Sequence, residues 1–112
     1  MSLEGELDVT VSPEEQAVAF AFHVTNANGG PIELQFADAC RAEFVVERAG
    51  RDVWRFTDGR VFAQVMGSER LAPDETATYD AEWTEPAEGT FTAVASLRAT
   101  DATCEASAEF TV

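Results

Sequence analysis

The side chains best suited to chemistry in this sequence are one histidine, two cysteines and many carboxylates. His23 stands between Phe22 and Val24 in an alternating segment, so the Ser and Asp partners of a hydrolytic triad would have to come from other strands. The sequence contains no GxSxG elbow, and HExxH, Walker A, GxGxxG and EF-hand loop patterns are also missing. We therefore expect His23 to be a polar residue of a sheet surface, and a protein that is no enzyme and has no cofactor or metal site.

The carboxylates dominate the charge of the chain. Its 112 residues include 21 Asp and Glu but only 7 basic residues, all of them arginine, which gives a formal net charge of −14. An acid pair of the glycosidase kind is uninformative among so many carboxylates. The negative charge argues against nucleic acids and anionic membranes as partners. Because about 1 M salt screens such repulsion, and because arginine replaces lysine throughout, the sequence is interpreted as halophilic; an ordinary acidic domain is the alternative.

The two cysteines, Cys40 and Cys104, have no CxxC spacing and are too few for a four-cysteine zinc site. A disulfide between them is one possibility and would close a long loop, which adds about 4 kcal/mol in the chain-entropy picture. In a reducing compartment, two buried thiols are expected instead. A cytoplasmic location is predicted, because residues 1–6 do not look like a secretory signal and no apolar run could span a membrane.

Apolar residues alternate with polar ones along nearly the whole chain, as is typical of strands that bury one face. The pattern predicts one domain over residues 1–112, an all-β, antiparallel, immunoglobulin-like β-sandwich of about eight strands. Ala49-Gly50-Arg51-Asp52 is interpreted as a hairpin turn and residues 66–75 as a loop. Six aromatic residues are expected in the core: Phe20, Phe22, Phe36, Phe44, Phe91 and Phe110.

Several segments share their order and spacing with a known family. They are residues 20–26 (FAFHVTN), 32–36 (IELQF), 53–62 (VWRFTDGRVF), 71–75 (LAPDE), Trp83 and residues 89–91 (GTF). In this order the chain resembles the BsuPI-type intracellular proteinase inhibitors over roughly residues 17–97. The resemblance implies an immunoglobulin-like sandwich that inhibits an intracellular serine protease of the subtilisin type. The chain departs from the family pattern at Asp74, where a glycine is expected, and at residues 39–43, where a more polar stretch is expected.

A protease inhibitor of the substrate-like kind needs a stiff, exposed loop, because such a loop loses little entropy on binding. Residues 66–74 are predicted to supply it, with Met66, Arg70 and Leu71 as candidate protein-binding residues. The turn at residues 57–60, with Asp58 and Arg60, is the alternative. For each of these residues an ordinary sandwich loop is the competing interpretation.

The sequence is compatible with three functions. The leading one is a monomeric protein-binding domain whose partner is a protease of the subtilisin type. The second is a non-inhibitory interaction or adhesion module. This function is suggested by the small side chains of Ala17, Ala19 and Ala21 on one strand face. The third is a hydrolase built around His23.

Overall fold

The computed structural model describes residues 3–112, and all regular elements in this range are strands. None of these residues belongs to a helix that could cross a membrane. The strands are β1 (Leu3–Ser12), β2 (Ala17–Asn26), β3 (Ile32–Phe36), β4 (Ala42–Arg48), β5 (Arg51–Arg55), β6 (Gly67–Leu71), β7 (Thr76–Thr84), β8 (Thr90–Leu97) and β9 (Glu105–Thr111). Every pairing between them is antiparallel, so the prediction of an all-β antiparallel fold is confirmed.

The strands form two larger sheets and one small ladder. One sheet has the order β1-β2-β7, the other has the order β5-β4-β8-β9, and β3 pairs with β6. Aromatic side chains of the two larger sheets pack against each other: the ring centroid of Phe20 lies 6.2 Å from that of Phe44 and 5.8 Å from that of Phe110. This layered arrangement is compatible with an immunoglobulin-like sandwich.

The core follows the alternating pattern of the sequence. In β2, the central strand of its sheet, Val18, Phe20, Phe22 and Val24 are at most 1% exposed. Their neighbours at odd positions point to the outer face because successive side chains of a strand alternate. The six phenylalanines predicted for the core are all buried, so that prediction is confirmed.

The turn predicted at residues 49–52 joins β4 to β5. Arg48 pairs with Arg51, so the connection consists of Ala49 and Gly50 alone. Both have positive φ, 52° and 78°, as a two-residue hairpin with the twist of its strands requires. The hairpin is confirmed, and β5 begins at Arg51, within the predicted turn.

The prediction of a loop over residues 66–75 is wrong for Gly67–Leu71, which form β6 and pair with Ile32–Phe36. The segment has strand geometry but reads Gly-Ser-Glu-Arg-Leu, which lacks the branched and aromatic residues that usually indicate a strand. Backbone pairing with β3, a partner distant in sequence, forms this strand despite its composition. Only residues 72–75 form the expected turn into β7.

Asp74 occupies that turn in the left-handed region, with φ of 65°. Its amide donates to the carbonyl of Asn26 at 2.9 Å, which holds the turn against the end of β2. Glycine adopts this conformation without the steric conflict that a Cβ creates. The positive φ at this position therefore explains why the family pattern has a glycine here.

Candidate functional site

The exposed apolar side chains are concentrated in the connection between β5 and β6, residues 56–66, which we call the 56–66 loop. Val61 is 98% exposed, Val65 is 65% exposed and Met66 is 82% exposed. Among residues 3–112, the one other large apolar residue with a comparably open side chain is Val53, at 46%. Exposed apolar side chains close together on a surface are one feature of partner-binding sites, so this loop is the candidate site.

The start of the 56–66 loop is tied to β4. Glu43, which is 8% exposed, accepts hydrogen bonds from the Thr57 hydroxyl at 2.5 Å and from the Thr57 amide at 3.4 Å. The amide of Phe56 donates to the carbonyl of Phe44 at 2.9 Å. A buried carboxylate must be hydrogen-bonded to be tolerated, so Glu43 and Thr57 stabilise each other's position.

The middle of the loop is folded onto Phe56. The amides of Asp58 and Arg60 donate to the carbonyls of Arg55 and Thr57, at 3.1 and 3.2 Å, and form two consecutive turns. The Arg60 guanidinium lies 4.4 Å from the centre of the Phe56 ring, and the Phe62 ring lies 6.0 Å from it on centroids. These contacts fix the first half of the loop.

The part of the loop next to β6 is held at two points, Ala63 and Gly67, with a short exposed stretch between them. The amide of Ala39 donates to the carbonyl of Ala63 at 2.9 Å, and Gly67 is paired with Phe36 as the first residue of β6. Residues 64–66 between these two points are all exposed. An exposed tripeptide with fixed ends has little conformational freedom to lose when a partner binds.

Arg41 lies directly behind Gly67. Its guanidinium is 4.5 Å from the Phe36 ring centre, and its Nε is 3.9 Å from a carboxylate oxygen of Glu69. A Cβ added at Gly67 would stand 2.7 Å from Nη2 of Arg41, so a larger residue here would push the Arg41 guanidinium aside. Nη1 of Arg41 is buried and has no hydrogen-bond partner among residues 3–112.

Glu69 is shared by Arg41 and a tyrosine of β7. The Tyr79 hydroxyl donates to Glu69 at 3.3 Å. Burial, with a further contribution from the negative charge of Glu69, raises the pKa of Tyr79 well above its usual range. Tyr79 therefore remains a protonated donor and helps to hold β6 beside β7.

The structure places the predicted contact residues in different environments. Met66 lies in the 56–66 loop together with Asp58 and Arg60, whereas the rest of residues 66–74 lie in β6 and in the turn that follows it. Arg70 is exposed on β6, opposite Glu33. Leu71 is 4% exposed and packs in the core, so its side chain is not available to a partner.

Sequence reasoning missed the exposed side chains of Val61 and Val65 and the carboxylate of Glu43. A signal for the valines exists, since Val61, Phe62, Val65 and Met66 lie close together without the alternation of a strand. No local pattern indicates that Glu43 is buried, because its partner, Thr57, is 14 residues away.

Cys40 and Cys104 are both buried, and in the structure both are free thiols. The Cys40 thiol donates to the carbonyl of Ala42 at 3.3 Å. Burial raises the pKa of both thiols above the ordinary value of 9.0. The thiolate is the reactive form, so neither cysteine has the environment of a nucleophile.

His23 lies on the outer face of the β1-β2-β7 sheet and connects three strands. Its Nδ1 is 2.9 Å from the Thr78 hydroxyl and its Nε2 is 2.9 Å from Asp8. Thr78 is directly opposite His23 in a regular ladder, so its hydroxyl is not presented on the sharp turn that exposes a hydrolase nucleophile. The arrangement is a set of cross-strand polar contacts, as predicted for a sheet surface.

The small side chains on the same outer face are only partly open. Ala17 is 7% exposed, whereas Ala19 is exposed and Ala21 is half-buried. An open depression of about 530 Å³ lies over Ala19 and Ala21, beside Asp8 and Asp80. Within residues 3–112, no three His, Cys, Asp or Glu side chains are grouped so that they could hold a metal ion.

The match to a protein family agrees with the resemblance noted in the sequence. No curated protein matches the chain significantly. A crystal structure of an ApaA protein from Bordetella pertussis has 18% sequence identity, covers 97% of this chain and 89% of its own, and has a TM-score of 0.41. The sequence model of the BsuPI family, described as intracellular proteinase inhibitor, matches residues 3–102. The chain therefore belongs to the BsuPI family of intracellular proteinase inhibitors.

Proposed function

We propose that this chain reversibly inhibits an intracellular serine protease of the subtilisin type by placing the 56–66 loop in the active-site cleft of the protease. The observation that carries the proposal is the exposed apolar set Val61, Val65 and Met66 on a loop that is fixed at both ends. Membership of a proteinase inhibitor family supports it. The chain acts by occlusion, so it needs no chemistry or cofactor of its own.

The energetics favour the 56–66 loop over the rest of the surface. Each fully buried Val or Met side chain is worth about 1.5–3 kcal/mol of transfer free energy. The hydrogen bonds at Thr57 and Ala63 fix the loop before binding, and this reduces the entropy cost of association. Asp58 and Arg60 are exposed in the same loop and form its polar rim, where they contribute to orientation.

The working state is a cytoplasmic monomer in concentrated salt. A net charge of −14 opposes contact between two copies of the chain, and it opposes the compact fold itself at low salt. At about 1 M salt the Debye length is about 3 Å, and both repulsions are largely screened. The same charge favours a target whose cleft is surrounded by basic residues.

The experiment compares inhibition constants of two valine variants against a subtilisin-type protease in about 1 M KCl. Val65→Asp places a charge in the proposed contact and is expected to weaken inhibition by about 100-fold. Val53→Asp changes an exposed valine on β5, outside the loop, and is expected to leave inhibition unchanged. Equal effects of the two substitutions would contradict the role of the loop.

A second candidate function is a non-inhibitory interaction module that uses the outer face of the β1-β2-β7 sheet. The depression over Ala19 and Ala21 favours it, because small side chains leave room for a partner. In this case Ala19→Arg would abolish binding of the partner while Val65→Asp would not. The inhibitor proposal predicts the reverse.

A further inference from the structure

We propose that Met66 fills the primary specificity pocket of the target protease and that Met66–Gly67 is the reactive peptide bond. The target is then a serine protease that prefers a long apolar side chain before the cleaved bond. This inference rests on the proposed inhibitory function. It goes further in naming the residue that sets specificity and the class of protease that the chain selects.

Met66 is the residue of the 56–66 loop best suited to enter a deep pocket. It is 82% exposed and lies in the open tripeptide between the two fixed points at Ala63 and Gly67. Its unbranched side chain has three rotatable bonds and adapts to a pocket, whereas that of Val65 is short and stiff. Val61 is flanked by Arg60 and Phe62, which both pack on Phe56, so its peptide bonds belong to the folded half of the loop.

The Met66–Gly67 bond lies where the exposed stretch enters β6. In the reaction the serine oxygen of the protease attacks the Met66 carbonyl carbon, the C–N bond breaks, and the Gly67 nitrogen takes a proton and becomes an amine. Water then hydrolyses the ester and leaves a Met66 carboxylate. Because Gly67 is paired with Phe36 in the β3–β6 ladder, the new amine stays beside the ester and can attack it in the reverse direction. Cleavage is therefore slow and reversible, as an inhibitor requires.

Arg41 is a positioning residue for this bond. Its guanidinium is packed against the position where a Gly67 Cβ would stand, at 2.7 Å from Nη2 and 3.1 Å from Nη1. Nη1 is a buried donor without a partner among the described residues, and such a group gains from any acceptor brought to it. A carboxylate formed on Met66 would supply that acceptor next to Gly67 and keep the two cleaved ends together.

The first test changes the specificity residue. Met66→Asp is expected to weaken inhibition of a protease with an apolar primary pocket by about 100-fold or more, with Val53→Asp as the matched control. Met66→Lys is expected to transfer inhibition to a trypsin-like protease, and misfolding cannot produce such a gain. If the unchanged chain inhibits but both Met66 variants keep its specificity, this inference is overturned and the proposed function stands. If the unchanged chain inhibits no serine protease, both fail.

The second test locates the bond and the role of Arg41. Mass spectrometry of the complex after long incubation is expected to show a fraction of chain ending at Met66. Arg41→Gln is expected to raise the rate at which the cleaved form accumulates, and Arg41→Lys to restore part of the resistance. Cleavage at another bond in the 56–66 loop would overturn the assignment of Met66–Gly67. An unchanged cleavage rate in folded Arg41→Gln would overturn the positioning role.

Discussion

The carboxylate of Glu43 accepts a 2.5 Å hydrogen bond from the Thr57 hydroxyl and so holds the first turn of the 56–66 loop against β4. Glu43 is 8% exposed and also accepts from its own neighbour, the amide of Phe44, at 2.9 Å. A charge in this position would be costly if it were unpaired. The side chain of Glu43 therefore links strand β4 to the 56–66 loop.

Replacing Glu43 with Ala is expected to weaken both the fold and the loop. The Thr57 donors lose their buried acceptor, and removal of a buried hydrogen-bond partner costs about 1–3 kcal/mol. Urea denaturation measures the loss, and the inhibition constant should rise with it because the loop is less ordered. Glu109→Ala, at an exposed position of β9, is the control and should change neither quantity.

Substitution of Asp74 by Gly is expected to stabilise the chain. A residue with a Cβ at φ of 65° carries a steric penalty of about 1–2 kcal/mol, and glycine has about 0.5–1 kcal/mol more backbone entropy to lose. The net gain in the free energy of unfolding is then about 0.5–1 kcal/mol. Asp58→Gly, at a turn residue without positive φ, should give no gain. A loss of stability in Asp74→Gly would contradict the backbone argument.

Alkaline pH is expected to destabilise the fold through the two thiols. Burial raises the pKa of Cys40 and Cys104 in the folded chain above 9.0, so the unfolded chain releases these protons first. Their contribution to stability is complete below pH 9 and is lost as the pH rises through the folded pKa. The free energy of unfolding from urea titrations should fall as the pH rises above 9.0. A Cys40→Ala/Cys104→Ala variant should show a smaller fall.

Salt is expected to stabilise the chain by screening its negative charge. Raising KCl from about 0.1 M to about 1 M shortens the Debye length from about 10 Å to about 3 Å. The melting temperature should rise, with about 4–8 °C for each kcal/mol gained by a domain of this size. A Glu6→Gln/Asp80→Asn/Glu82→Gln variant, changed on the outer face of the β1-β2-β7 sheet, should respond less. An equal response would show that salt acts by another route than charge screening.

The sequence was sufficient for the strands that bury a regular apolar face. Val18, Phe20, Phe22 and Val24 alternate in β2, and the burial of one face of that strand follows from their spacing. The turn at Ala49 was predictable from its residue types, since Gly50 follows it and the pair stands between two apolar runs. Alternation of apolar and polar residues therefore predicts burial well in strands that bury one face and expose the other.

The rest depends on partners that are distant along the chain. Strand β6 forms because Gly67–Leu71 find the backbone of β3, and their own side chains give no sign of it. In this strand Leu71 is buried and Arg70 is exposed, so only Arg70 of the two predicted contact residues is open to a partner. The open tripeptide at residues 64–66 exists only because Ala39 holds Ala63 and β3 holds Gly67. Neither contact is encoded within the loop.

The most direct test of inhibition is a titration of a subtilisin-type protease with this chain in about 1 M KCl. At a protease concentration well above the dissociation constant, residual activity should fall in a straight line and reach zero near one chain per protease molecule. Dilution should restore the activity. Full protease activity at about tenfold excess of the chain would contradict the account.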